Sequence, residues 1–93
     1  MPIENNTFKL TEVGFDHMFT DEFWKRSRFQ QCILITMYAC FLSEQDDFGF
    51  ESIKNIVDKR NLKGLTDQEF KKLCDELKDN KEACKDFVNM GFN

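Results

Sequence analysis

The sequence predicts an all-α domain, a small bundle of about four helices around a central apolar helix, with an extended N-terminal arm. Three observations predict this class. One proline and four glycines in 93 residues are few for a turn-rich fold. Residues 32–42 are apolar or aromatic except for Thr36, so a helix there must be covered on most of its circumference. The downstream segments each carry one apolar stripe at helical spacing.

The chain divides into a predicted arm, residues 1–19, and a single helical core, residues 20–93. Within the arm, residues 7–15 alternate imperfectly between apolar and polar side chains, with Phe8 and Leu10 on one face, as is typical of a strand. No other segment offers a strand partner, and a lone strand is not stable in water. Three interpretations stay open: an arm over the helices, a short helix, or a strand completed by another molecule.

The central helix is predicted from Asp21 to Leu42. Thr20 is its predicted N-cap, acids follow in the first turn, and Phe19 is placed to pack on Trp24. A strand competes as an interpretation of the apolar run, since short apolar runs are ambiguous. The helical pattern extends back from that run to Thr20 without a breaker, and this favours the helix.

The apolar run is too short for a membrane span, which needs ~20 apolar residues. The first residues show no basic region followed by an apolar segment. We therefore expect a cytoplasmic protein, and on that footing the cysteines are predicted to be buried thiols rather than disulfides. These cysteines are Cys32, Cys40, Cys74 and Cys84.

Three shorter helices are predicted after the acidic run 43–47. The first covers residues 50–60, with an apolar stripe of Phe50, Ile53, Ile56 and Val57. The second begins at a capping box formed by Thr66 and Glu69. The third is capped by Asp79 or Asn80, buries Ala83, Cys84, Phe87 and Val88, and ends at Gly91.

No constellation of residues predicts catalysis or metal binding. The single histidine, His17, would need a second group held nearby to act in acid–base or thiol chemistry. The intervals between the cysteines do not match zinc-site spacing, and the acidic run 44–47 lacks the ligand spacing of a calcium loop. There is no phosphate-binding glycine loop. We expect no enzymatic activity, no cofactor and no metal.

The charge pattern argues against nucleic-acid binding, although the helices at 50–60 and 66–78 could be read as a helix-turn-helix. The net charge is −4, and the exposed side of the second of these helices mixes acids with bases. A helix that reads the major groove needs bases toward the phosphates. The best basic patch is Lys25, Arg26 and Arg28, beside Trp24.

That patch is also the best candidate for a protein-binding surface, because Trp and Arg often dominate interfaces. Phe29 adds to the same aromatic and basic group. The predicted partner-binding residues are Phe19, Phe23, Trp24, Lys25 and Arg28, together with a second corner at Phe48 and Phe50. We expect a small regulator or inhibitor that binds a protein partner. The alternatives are a DNA-associated transcriptional regulator and a homo-oligomeric structural component, the simplest form of which is a homodimer.

Residues 65–92 are similar to the C-terminal part of the T4-type phage anti-sigma factor family. The matching residues are Leu65, Phe70, Lys72, Glu76, Leu77, Gly91 and Phe92. They are ordinary residues of amphipathic helices and span less than a third of the chain, so the chain is not assigned to that family. The resemblance implies, as a class, a short acidic helical phage protein that works by occupying the surface of its partner.

Overall fold

A computed structural model describes residues 18–45 and 49–92. Its elements are α1 (Asp21–Trp24), α2 (Arg28–Leu42), α3 (Phe50–Lys59), a 3₁₀ turn (Leu62–Gly64), α4 (Asp67–Leu77) and α5 (Lys81–Phe92). The all-α prediction is confirmed for these residues. The alternatives for residues 7–15 concern a segment outside the described residues.

The prediction of one continuous helix over residues 21–42 is wrong. Residues 25–27 separate α1 from α2, and α2 begins at an N-cap of its own. The hydroxyl oxygen of Ser27 accepts a hydrogen bond from the backbone N–H of Gln30 (3.2 Å), which satisfies one of the N–H groups that a helix start leaves without a partner. Thr20 occupies the N-cap position of α1 but makes no side-chain cap bond.

The buried amide of Gln31 explains why the chain can break here without glycine or proline. Its Nε2 lies 3.2, 3.4 and 3.1 Å from the carbonyl oxygens of Phe23, Trp24 and Arg26. Its Oε1 accepts a hydrogen bond from Nε of Arg28 (3.3 Å). Carbonyls at a helix end must find a partner when they are removed from water, and Gln31 supplies one from the next helix.

Helix α2 is buried on most of its circumference by other helices, as its apolar composition predicts. Within residues 32–42 the buried side chains are Cys32, Ile33, Ile35, Thr36, Met37, Tyr38, Ala39 and Cys40. The one polar side chain of this run is satisfied within the helix, because the hydroxyl of Thr36 donates to the carbonyl oxygen of Cys32 (2.8 Å). Helices α3 and α5 supply most of the cover, and they also pack on each other.

The remaining helices bury one stripe each, largely as their periodicity predicts. The buried residues of this set are Ile53, Ile56, Val57, Leu62, Phe70, Cys74, Leu77, Cys84, Phe87 and Val88, and Ala83 is half-buried. Phe50 has the spacing of the α3 stripe but is 62% exposed. Two residues ahead of α1, Met18 and Phe19, also pack on the core.

The caps predicted for the last two helices are confirmed. The hydroxyl of Thr66 accepts from the N–H of Glu69 (3.1 Å), and the Glu69 carboxylate accepts from the N–H of Thr66 (2.9 Å). The side-chain oxygen of Asn80 accepts from the N–H of Ala83 (3.1 Å). Helix α5 continues through Gly91, where it was predicted to end, as far as Phe92.

Non-glycine residues in the left-handed region accompany the chain's changes of direction. They are Phe19 (φ 64°), Glu44 (φ 61°), Asn61 (φ 54°) and Asp79 (φ 52°). Glu44 follows α2, where its N–H donates to the carbonyl of Phe41 (3.1 Å) and the N–H of Gln45 donates to the carbonyl of Cys40 (2.9 Å). This is the Schellman arrangement, which usually has glycine at the left-handed position. The N–H of Asp79 donates to the hydroxyl of Tyr38 (2.9 Å) and ties the α4–α5 turn to α2.

The role of Gln31 can be tested by its replacement with alanine. We expect Gln31→Ala to lower the free energy of unfolding by about 1–3 kcal/mol, because carbonyl groups at the end of α1 lose their buried partner. The matched control is Gln30→Ala, whose side chain is exposed and whose effect should stay within about 0.5 kcal/mol. Urea unfolding followed by circular dichroism measures both, and equal stability of the two variants would contradict the assigned role.

Candidate functional site

Phe23 lies in the core rather than on the surface. It is 1% exposed, and its ring centroid is 4.8 Å from that of Trp24, 5.8 Å from that of Phe19 and 6.5 Å from that of Phe70. Phe19 is half-buried and also meets Tyr38 edge-on at 5.2 Å. Phe23 was predicted to bind a partner, but it is a core residue on which other aromatic residues of the predicted surface pack. The ring of Phe19 packs on Phe23 and Tyr38.

Arg28 is engaged in contacts within the chain. Its Nη1 donates to the carbonyl oxygen of Leu65 (3.0 Å), its Nη2 pairs with the carboxylate of Asp67, and its guanidinium carbon lies 4.4 Å from the ring centroid of Phe70. The three contacts join the start of α2 to the start of α4. Arg28 is thus a structural link between helices, with a quarter of its side chain, 26%, left exposed.

Trp24, Lys25 and Arg26 are the exposed members of the predicted patch. Trp24 is 36% exposed, and its ring meets the rings of Phe23 and Phe70 edge-on. It lines a cleft of about 270 Å³ whose other walls are largely polar; they are formed by Arg28, Gln31, Asp67 and Lys71. The second predicted corner consists of Phe48 and Phe50. Phe48 lies outside the described residues, and Phe50 is the first residue of α3.

The structure brings Phe50 together with Phe29. The two side chains line a pair of adjoining depressions between α2 and α3, with volumes of about 310 and 240 Å³. Ile33 and Phe29 line both depressions, and Leu34 lines the larger one. We call this apolar surface, formed by Phe29, Ile33, Leu34 and Phe50, the Phe29–Phe50 groove. Phe29 is 51% exposed.

Charged side chains surround the groove. Arg26 lines the larger depression, and Lys54, Asp58 and Lys63 line the smaller one. The ammonium nitrogen of Lys63 lies 5.3 Å from the ring centroid of Phe29, a cation–π distance. The lining therefore holds three cations and one anion, in a chain whose net charge is −4.

The four cysteines are buried, as predicted, and the structure has them as thiols. Burial raises the pKa of Cys40 to about 12, that of Cys74 to about 12 and that of Cys84 to about 11, and it also raises the pKa of Cys32. The thiolate is the reactive form of cysteine, so these side chains are protonated and unreactive near neutral pH. His17, the candidate partner for a cysteine nucleophile, lies outside the described residues.

Two further observations hold for residues 18–45 and 49–92. They contain no group of three or more His, Cys, Asp or Glu side chains positioned to hold a metal ion. None of their helices has both the length and the hydrophobicity needed to cross a bilayer.

Comparison with known protein families, with curated protein sequences and with solved structures found no match. The likeness of residues 65–92 to the T4-type phage anti-sigma factors gains no support from these comparisons. Interpretation of the surface therefore depends on its geometry and charge.

The structural role of Arg28 predicts a loss of stability on substitution. Arg28→Ala should lower the free energy of unfolding by about 1–2 kcal/mol, since it leaves the Leu65 carbonyl without this donor and removes the cation–π contact with Phe70. Asp67→Asn should cost less, under about 1 kcal/mol, because the Asp67 side chain is 99% exposed and exposed ion pairs contribute little. Urea unfolding compares the two. An Arg28→Ala variant as stable as the wild type would show that the link is not needed.

The buried thiols predict a loss of stability in alkali. The pKa of a cysteine is raised by folding, so above its ordinary value of 9.0 the unfolded chain releases the proton first. The free energy of unfolding therefore keeps its full value below pH 9. It falls as the pH rises toward 12, by roughly 1 kcal/mol per pH unit for each thiol. Urea unfolding at intervals from pH 8 to pH 11 measures the decline.

The matched control for this decline is the double variant Cys40→Ala/Cys74→Ala. It should start from a lower stability, because two buried side chains are shortened, but its stability should fall less steeply between pH 9 and pH 11. Parallel curves for the wild type and the double variant would rule out the thiols as the cause.

Proposed function

We propose that this chain is a small non-enzymatic protein that acts by binding a protein partner through the Phe29–Phe50 groove. One observation carries the proposal: two phenylalanines, each more than half exposed, line the same apolar groove. Phenylalanine has no polar group to satisfy in water, and an exposed apolar patch with a polar rim is typical of an interaction site.

The proposed surface has a different centre from the sequence-based one. Phe50 stays in it and Phe29 becomes central, whereas Phe23 and Arg28 hold the surrounding helices in place. Trp24 and Lys25 directly precede Arg26, which lines the larger depression, and we include them as a proposed extension of the contact. Aromatic residues are enriched at the centres of protein interfaces, and basic residues that flank them add electrostatic selectivity.

A regulatory or inhibitory role fits a surface of this kind. Such a protein needs only to occupy the surface of its partner, and a groove with two aromatic side chains is sufficient for one anchoring contact. The thiols that could have served as nucleophiles are buried and protonated. We therefore place the activity in binding rather than in catalysis.

DNA binding is not the proposal that the described surface favours. The exposed face of α4, the second helix of the helix-turn-helix interpretation, carries Asp67, Glu69, Asp75 and Glu76 against Lys71, Lys72 and Lys78. Acids interspersed at this density oppose contact with phosphates.

Partner capture with matched variants tests the proposal. The double variant Phe29→Ser/Phe50→Ser removes the aromatic groove, and Phe41→Ser is the control, because Phe41 is also exposed (53%) and lies on α2 but does not line either depression. Each immobilised protein is incubated with lysate of the cells that encode it, and bound proteins are quantified by mass spectrometry. We expect the double variant to lose the specific partner by at least about 10-fold, a change of ~1.4 kcal/mol, and Phe41→Ser to retain it.

Two results would overturn the proposal. One is equal recovery of the same partner by the wild type and by the double variant, when urea unfolding shows that both are folded. The other is sedimentation of the wild type as a homo-oligomer that the double variant converts to a monomer, since the groove would then join copies of the chain.

A further inference from the structure

We infer that the partner presents a short acidic amphipathic helix to the Phe29–Phe50 groove, an inference that rests on the proposed function. The volumes of the two depressions favour side-chain anchors over a small molecule. The two depressions measure about 310 and 240 Å³, which is near or below the ~300 Å³ at which small-molecule pockets begin. Each can accept a large apolar side chain, and α2 contributes Phe29 and Ile33 to the lining of both.

The arrangement of the groove matches recognition of a helix by an apolar cleft. The two depressions share Phe29, Ile33 and Phe50 in their lining and therefore adjoin. An amphipathic helix offers anchors at positions i, i+3, i+4 and i+7 on one face, and it satisfies its own backbone groups. A groove whose walls are the helices α2 and α3 suits such a ligand better than an added β-strand, which binds through the main chain at a sheet edge, and the described residues form helices.

The charged side chains around the groove favour a ligand of negative charge. The lining cations are Arg26, Lys54 and Lys63, and the lining anion is Asp58. Glu51 follows Phe50 in α3 and is exposed, but it does not line either depression. The rim is thus positive on a molecule whose net charge is −4, and charge complementarity at a rim steers and selects the partner.

Single-stranded nucleic acid is the other class of ligand with negative charge and stacking groups. Exposed phenylalanines can stack bases, but binding of this kind depends on a continuous cationic groove that follows the backbone. Here one of the four charged lining side chains is the carboxylate of Asp58, and the chain as a whole is acidic. The observations favour a peptide, and nucleic acid becomes an outcome of the test.

A pair of labelled peptides tests the inference on the full chain. Both are helices of 14 residues or so, with leucine or phenylalanine at i, i+3, i+4 and i+7; the first has glutamate and aspartate on its polar face, and its twin has lysine and arginine. Fluorescence anisotropy measures their affinities for the wild type and for variants. We expect the wild type to bind the acidic peptide at least about 10-fold more tightly than its twin, a difference that weakens as salt is raised.

Two double variants separate the rim from the overall charge. Lys54→Glu/Lys63→Glu should weaken binding of the acidic peptide by about 10-fold or more and reverse the preference between the peptides. Lys78→Glu/Lys85→Glu changes the net charge equally at exposed positions that do not line the groove, and it should keep the preference of the wild type. Phe29→Ser/Phe50→Ser should abolish binding of both peptides.

The inference fails if the wild type binds neither peptide, binds both equally, prefers the basic twin, or binds oligothymidylate more tightly than the acidic peptide. It also fails if both charge-reversal variants behave alike. The proposed function fails separately, when a captured partner does not depend on Phe29 and Phe50. A captured partner that needs these phenylalanines but tolerates Lys54→Glu/Lys63→Glu would leave the proposed function standing and remove the acidic ligand.

Discussion

The buried amide of Gln31 holds the corner on which the rest of the described structure depends. This amide donates hydrogen bonds to the carbonyls of Phe23, Trp24 and Arg26. The chain can therefore end α1 and begin α2 as a separate helix. Arg28 can then reach α4 while Phe29, the next residue, lies in the groove beside α3. A single polar side chain inside an apolar core thus determines both a contact between distant helices and the position of an exposed surface. Such a side chain is useful only because all its polar atoms find partners.

Sequence patterns predict α3, α4 and α5 well, because the information that forms them is local. Each has one apolar stripe, and the caps at Thr66 and Asn80 depend on atoms within three residues of each other. The break at residues 25–27 is different. A local signal exists, since Ser27 followed by Gln30 has the spacing of a capping box, but it competes with a helical pattern that has no glycine or proline. The burial of Gln31 against carbonyls five to eight residues back decides the outcome, and that is a property of the tertiary structure.

The candidate surface could be predicted only in part, for a related reason. The sequence holds eleven phenylalanines and shows that the region around Trp24 is aromatic, but it does not show which rings are exposed. Which rings are buried depends on the direction of each helix: Phe23 enters the core from α1, while Phe29 stays at the edge of α2. Phe50 has the spacing of a buried stripe, yet it is the first residue of α3 and lies where α2 and α3 leave a groove between them. Pairing Phe29 with Phe50 requires the packing of the two helices.

The left-handed residues at the chain's turns bear on how much change the fold can absorb. Asn61 and Asp79 are suited to that conformation, but Glu44 and Phe19 carry a steric cost of about 1–2 kcal/mol each. The ring of Phe19 compensates by packing on Phe23 and Tyr38. The side chain of Glu44 makes an exposed pair with Lys81, which is worth little, and its backbone Schellman hydrogen bond is one that glycine would also make. A glycine at position 44 would relieve the strain without touching the groove. A stabilising substitution is therefore available at the end of α2. The stability that it adds could offset the stability lost when the Phe29–Phe50 groove is changed to bind a new partner.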